Sequence, residues 1–201
     1  MAGEFGNWGL VLISVLLLSV FSVGFIIPFK KRDWRSLGVY EAFLVALFTE
    51  MFGFPLTVYI LTSFLGLDIP LTLRGGHLLV GLLEKMGFRQ AYLAVHVASG
   101  GLIVGGIALL VWGWKKVFYG RGLVRDGPYR YVRHPQYLGL FSIALGLLIM
   151  WPTFPTLVMF PILVGMYYRL ARREEREMTQ RFGEEYREYM RGVGMFLPRI
   201  R

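Results

Sequence analysis

Residues 136–170 read QYLGLFSIALGLLIMWPTFPTLVMFPILVGMYYRL, and this stretch decides the fold. Two apolar runs, 136–151 and 156–170, are joined only through WPTFP, whose Pro152 and Pro155 force a tight connection. Each run is shorter than the roughly 20 residues of a straight membrane crossing. The pair therefore predicts a helical hairpin that crosses the bilayer fully or nearly so.

Working outward, three longer apolar runs precede the hairpin: 8–27, 40–65 and 90–114. The first lacks a basic leader and ends in Pro28 followed by Lys30, Lys31 and Arg32, which predicts a retained transmembrane helix rather than a signal peptide. The third contains Gly100, Gly101, Gly105 and Gly106, where a neighbouring helix can approach closely. Residues 71–87 are apolar but interrupted by Arg74, His77, Glu84 and Lys85, a pattern that fits an interfacial or re-entrant helix better than a span. The expected architecture is all-α: a polytopic membrane protein of about five transmembrane helices, ending in a C-terminal helical hairpin and a cytoplasmic amphipathic helix.

Composition agrees. Of 201 residues 55% are hydrophobic and 17% charged, below the quarter usual in soluble domains. With no cysteine the chain has no disulfide, thiolate metal site or thiol nucleophile. Its three histidines show no metal-ligand spacing, so no metal is expected. The net charge of +9 sits beside apolar segments, which points to anionic lipid headgroups as partners and not to nucleic acid. Of the 22 basic residues, only Arg74, Lys85 and Arg89 fall on one side of the expected spans. The positive-inside rule then puts the N-terminus outside and the C-terminus in the cytoplasm.

Two polar clusters abut the hairpin on that cytoplasmic side. The first, residues 127–139, reads GPYRYVRHPQYLG. Pro128 and Pro135 bar a continuous helix, and Pro135 is placed to start one. His134 and Tyr137 offer a switchable donor or acceptor and an amphipathic ring; the arginines and tyrosines also suit a lipid-anchoring loop. The second cluster is Arg172, Arg173, Glu174 and Glu175. Positions 165, 168, 172, 175, 179, 182, 186 and 189 share one face if a helix runs unbroken from 165 to 189, which turns Arg172 and Glu175 inward and leaves Glu174 about 100° away. Such a charge run on a cytoplasmic helix is also compatible with simple solvation. Closing on each other, the clusters would hold a polar ligand at the membrane surface, expected to be the cofactor. Glu41, Glu50 and His96 are lesser candidates, each isolated near a span, and His77 reads as structural.

The RHPxYxG element, the hairpin, the glutamate pair and the tail FGEEYREYMRGVGMFLP together resemble the integral-membrane methyltransferases related to isoprenylcysteine carboxyl methyltransferase and phospholipid N-methyltransferase. The resemblance covers residues 120–198. It implies S-adenosylmethionine as cofactor, with His134 and Tyr137 as contacts, Pro135 and Gly139 shaping the loop, Tyr129 against the cofactor and Glu174 or Glu175 at its polar end. The acceptor is expected to be lipophilic or membrane-associated: an isoprenylcysteine-like carboxylate, a lipid amine or a small thiol. Arg133 or Arg172 would supply the cation for a carboxylate, and Glu175 or its neighbour a base for an amine. The chain then forms one integral-membrane domain, with 1–115 as the substrate-side helices and 116–201 as the cofactor-binding core. A sterol-type reductase using NADPH and a non-catalytic lipid-binding protein are the competing interpretations; the tandem glutamates favour the methyltransferase.

Overall fold

The computed structural model of the protein describes residues 44, 45, 57, 60, 61, 65, 66, 77–120 and 122–199. The expected span at 8–27 and most of that at 40–65, with Glu41 and Glu50, lie outside the described residues. The named elements are helical: α1 (Leu78–Lys85), α2 (Ala91–Tyr119), a 3-10 turn (Gly127–Arg130), α3 (Pro135–Met150), α4 (Phe154–Phe182) and α5 (Glu184–Gly192). Among the described residues there is no strand beyond a single parallel bridge between Val132 and Gly194.

Helices α2 and α4, of 29 residues each, are long and apolar enough to cross a membrane. A helix of that length runs about 43 Å. Only 17% and 22% of their apolar windows are buried, so most of this apolar surface faces outward, unlike the core helix of a soluble protein. The apolar part of α4 ends near Leu170, before the Arg172–Glu175 cluster. Helix α3 has 16 residues, about 24 Å, less than the hydrocarbon core is thick. Helix α1, with eight residues, is far too short to cross.

The chain divides into two compact units, residues 1–95 with 148–163 and residues 96–147 with 164–201. The divisions fall within α2, α3 and α4. In the first unit Val80, Ala91 and Val95 form a small core with Leu79, Leu83 and Ile149 around it. The His77 Nδ1–H donates to the Met150 carbonyl at 2.9 Å, and its ring stacks on Trp151, so this histidine is structural as expected. Helix α4 starts with a capping box built from threonines. The Thr156 amide points to Thr153 Oγ1 and the Thr153 amide to Thr156 Oγ1, both at 3.3 Å.

In the second unit α2 and α3 pack antiparallel through small residues at heptad spacing. A Cβ on Gly106 would stand 2.6 Å from the Gly139 carbonyl oxygen, and one on Gly139 would stand 2.7 Å from that of Gly106. Gly146 opposes Ser99 in the same way at 2.8 Å. Backbones this close leave no room for any side chain. Gly139 is thus a helix-packing residue. Of the four glycines expected to admit a neighbour, Gly106 does so, while Gly100, Gly101 and Gly105 have no described atom within 4 Å of an added Cβ.

The expected unbroken helix over 165–189 is not observed. Helix α4 stops at Phe182, and Gly183 takes φ +57°, a left-handed conformation that glycine adopts without steric cost. Helix α5 then sets off with Tyr186 and Tyr189 buried. The inward face of α4 also differs from the expected one. Leu163, Tyr167, Ala171 and Glu175 are buried at steps of four, while Tyr168 and Arg172 are exposed.

Candidate functional site

The site grows from the 3-10 turn. Gly127 opens the turn with φ +60°, and Pro128 follows in its second position, where its missing N–H costs nothing. The chain then extends through Val132 and Arg133 to His134, whose carbonyl accepts the Leu138 amide at 3.1 Å. His134 is therefore the residue that begins α3, and Pro135 occupies the first helical position with the fixed φ that suits it. The strand-like stretch is held by the tail: the Arg133 amide donates to the Gly194 carbonyl at 2.8 Å and the His134 amide to Met195 at 3.1 Å.

His134 lies between the two glutamates. Its Nδ1 is 3.5 Å from Glu174 Oε2, and its Nε2 is 3.5 Å from Glu175 Oε1. These are ion-pair contacts, longer than a hydrogen bond. The buried Nε2 has no hydrogen-bond partner. The imidazole stacks on Tyr137, whose hydroxyl donates to Glu174. Both glutamates thus reach the histidine, one from each side, because Glu174 and Glu175 straddle the inward line of α4.

The two carboxylates have different surroundings. Glu175 is 4% exposed. Its Oε1 accepts from Arg133 Nε at 2.8 Å and lies 2.6 Å from Nη2. Arg133 Nη1 donates to the carbonyls of Met190, at 3.1 Å, and Val193. All three guanidinium nitrogens are therefore engaged within the protein. The Glu174 side chain is 39% exposed and opens into a cleft. Arg172 is 57% exposed, 3.5 Å from Glu175 Oε2, and does not line that cleft.

The cleft has a volume of about 450 Å³. Tyr129, His134, Tyr137 and Glu174 form its polar wall, and Val117, Leu123, Val124, Met178 and Phe182 supply apolar surface. Glu174, Glu177, Met178, Arg181 and Phe182 line it from α4; of these only Phe182 lies on the face expected to point inward, and the others sit beside it. Tyr186 and Tyr189 close the far side from α5, and the Tyr189 hydroxyl donates to the Tyr129 carbonyl at 2.6 Å. Sequence reasoning placed Tyr186 and Tyr189 on the inward side, though on one unbroken helix; it missed Glu177, Met178 and Arg181 and the internal engagement of Arg133. Of the expected site residues, Tyr129, His134, Tyr137, Glu174 and Arg133 meet at the cleft. Glu175 backs it, Pro135 and Gly139 support it from α3, and Arg172 stands apart.

Electrostatics follow from this arrangement. Burial works against the His134 imidazolium, but Glu174 and Glu175 together outweigh it and raise the pKa above its ordinary 6.5. Burial opposes ionisation of Glu175, yet His134 and Arg133 hold its pKa below the ordinary 4.5. Burial, helped by the Glu175 carboxylate, pushes Tyr186 up to about 12. Tyr129 and Tyr189 are raised for the same first reason, so all three rings remain protonated donors.

Residues 93–185 match the model of the phospholipid methyltransferase family. The matched stretch holds His134 and both glutamates and ends at Glu185, four residues into the tail motif and before segment 193–195. The chain is 34% identical over 79 residues to protein-S-isoprenylcysteine O-methyltransferase of Schizosaccharomyces pombe and 38% identical over 81 residues to the Saccharomyces cerevisiae protein of the same name. It is 35% identical over 77 residues to methanethiol S-methyltransferase of Pseudomonas deceptionensis. These alignments cover 39%, 39% and 36% of this chain and 34%, 33% and 27% of the relatives, so the chain matches about a third of the length of the first two and about a quarter of the third. The family model and these names agree with the resemblance drawn from the RHPxYxG element, the glutamate pair and the tail.

Proposed function

We propose that the protein transfers a methyl group from S-adenosylmethionine to a lipophilic or membrane-associated acceptor. The observation that carries this reading is His134 held between Glu174 and Glu175, its buried Nε2 without a hydrogen bond, on the wall of a cleft of about 450 Å³. That volume lies within the range of small-molecule sites. The residues present fit the cofactor. Glu174 and Glu177 offer carboxylates to an ammonium or to ribose hydroxyls, Tyr129 and His134 offer donors, and the apolar wall suits a purine.

Bound S-adenosylmethionine would supply a methyl group on a sulfonium, which already carries a good leaving group. The chain's own work is then to align the acceptor and to exclude water. Glu174, Glu177, Tyr129 and His134 would hold the cofactor and present its methyl group to an acceptor lone pair, with S-adenosylhomocysteine as the leaving group. A carboxylate or thiolate acceptor needs no proton removed, and Arg181, which lines the cleft, is the cation placed to attract one, while Arg172 stands outside it. A neutral amine acceptor must lose a proton after attack, and Glu174, with His134 beside it, is placed to take it.

In this reading the chain forms one integral-membrane domain of about five inserted helices, with α2, α3 and α4 running uninterrupted through its described part. The N-terminus lies outside; the cleft and α5 lie in the cytoplasm against anionic headgroups, as the basic asymmetry requires. The test is transfer of radiolabel from methyl-labelled S-adenosylmethionine into an organic-soluble product by membranes containing the protein. Label that appears with the protein and fails with E174Q supports the proposal. Equal labelling in membranes lacking the protein removes it.

A further inference from the structure

Three elements meet at Arg133. From α4, Glu175 accepts from its Nε and forms an ion pair with Nη2. From the end of α5 and the residue after it, the Met190 and Val193 carbonyls accept from Nη1. From the tail, Gly194 and Met195 accept the backbone amides of Arg133 and His134. Val132 pairs with Gly194, and the Phe196 ring stands 5.8 Å from His134 and 5.4 Å from Phe141. A guanidinium whose side chain is 9% exposed, with its nitrogens engaged this way, has little left to offer a ligand.

We propose that Arg133 and the C-terminal segment 193–195 form a positioning clamp that sets His134 and Glu175 at the wall of the cleft. The proposal rests on reading that cleft as the cofactor site. Arg133 is a positioning residue in it, acting through Glu175 and His134 and not on the cofactor or acceptor. The planar fork is what the geometry uses: one edge grips a carboxylate and the other holds two carbonyls, which a lysine ammonium cannot reproduce. The tail acts by backbone hydrogen bonds, so its part in the site has no side-chain signature. It also lies beyond residue 185, where the family match ends.

Two variants probe the clamp without changing the net charge. R133K keeps the cation and loses the fork. G194A leaves every charged group in place but puts a Cβ 1.9 Å from the Leu197 carbonyl oxygen, so the tail must shift. The charged and titratable groups around His134 are Glu174, Glu175 and Arg172 from α4, Arg133 beside it, Tyr137 on α3, and Tyr186 and Tyr189 from α5. All of these persist in G194A, and their charges persist in R133K.

The experiment uses the full chain in detergent micelles, with S-adenosylhomocysteine affinity by calorimetry and the His134 ring titration by NMR of histidine-labelled protein. Both variants are expected to weaken S-adenosylhomocysteine binding by about ten-fold or more, as a displaced charged contact would. Both are also expected to lower the His134 midpoint, by roughly one unit, as Glu175 moves away from the ring. Wild-type affinity and midpoint in both variants would overturn the proposal. So would lost affinity with an unmoved midpoint, since that reports general destabilisation. If R133K does not fold, G194A decides alone by the same criteria. If the wild-type chain does not bind S-adenosylhomocysteine, the cofactor reading fails, and the His134 midpoints still decide the clamp.

Discussion

Replacing each glutamate by glutamine should separate two adjacent residues by role. Glu175 is 4% exposed and neutralises Arg133, whose side chain is itself 9% exposed. In Glu175→Gln the guanidinium stays buried without a counter-ion, a situation that costs about 3–5 kcal/mol. For a chain of this size each kcal/mol lowers the melting temperature by about 2–4 °C, so the variant should melt roughly 10 °C lower. Glu174 is 39% exposed and its protein contacts are His134 and the Tyr137 hydroxyl, which an amide oxygen still accepts. Glu174→Gln should therefore cost about 1 kcal/mol in stability and weaken S-adenosylhomocysteine binding by about ten-fold. The assay is thermal unfolding in detergent followed by intrinsic fluorescence, paired with calorimetry on the same samples. Equal melting temperatures for the two variants, or the larger drop in Glu174→Gln, would refute the division.

Other outcomes follow from the same geometry. The raised pKa of His134 gives stability that is full below its ordinary 6.5 and is lost as pH rises through the higher folded value. The lowered pKa of Glu175 gives stability present above 4.5 and lost as pH falls through the lower folded value, so melting temperature should peak between these limits. His134→Ala should flatten the alkaline limb, which a melting series across pH reads directly. Gly106→Leu should destabilise the α2–α3 pair by about 1–3 kcal/mol or abolish folding, because its Cβ meets the Gly139 carbonyl; an unchanged melting temperature would refute that close approach. A cysteine placed in the tail after residue 199 should react with a membrane-impermeant reagent only in inverted vesicles, and one in 71–87 only from outside.

The hairpin was legible because apolar runs and paired prolines are local signals: α3 begins at Pro135 as expected, and α4 at Phe154, two residues before the expected run. His134 and Tyr137 were legible because a proline-set helix start brings both to one end of α3. The rotation of α4 was not. Steps of three and four from Gly165 define a credible face, but Leu163, Tyr167 and Ala171 define a better buried one about 100° round. Choosing the first turned Arg172 inward, where the structure exposes it. The break after Phe182 depends on the positive φ of Gly183, and a glycine in a polar helix does not announce its conformation. The role of the tail rests on backbone carbonyls at Gly194 and Met195, which no residue-type pattern encodes.

The central claim is that the cleft lined by His134 and Glu174 binds a sulfonium nucleoside cofactor. Calorimetry of the purified chain with S-adenosylhomocysteine and, separately, with NADPH tests it most directly, with His134→Ala as the control. Saturable binding of S-adenosylhomocysteine alone is expected, weakened by about 10- to 150-fold in His134→Ala for the loss of one contact to a charged group. Binding of NADPH in its place, or S-adenosylhomocysteine affinity unchanged in His134→Ala, would contradict it.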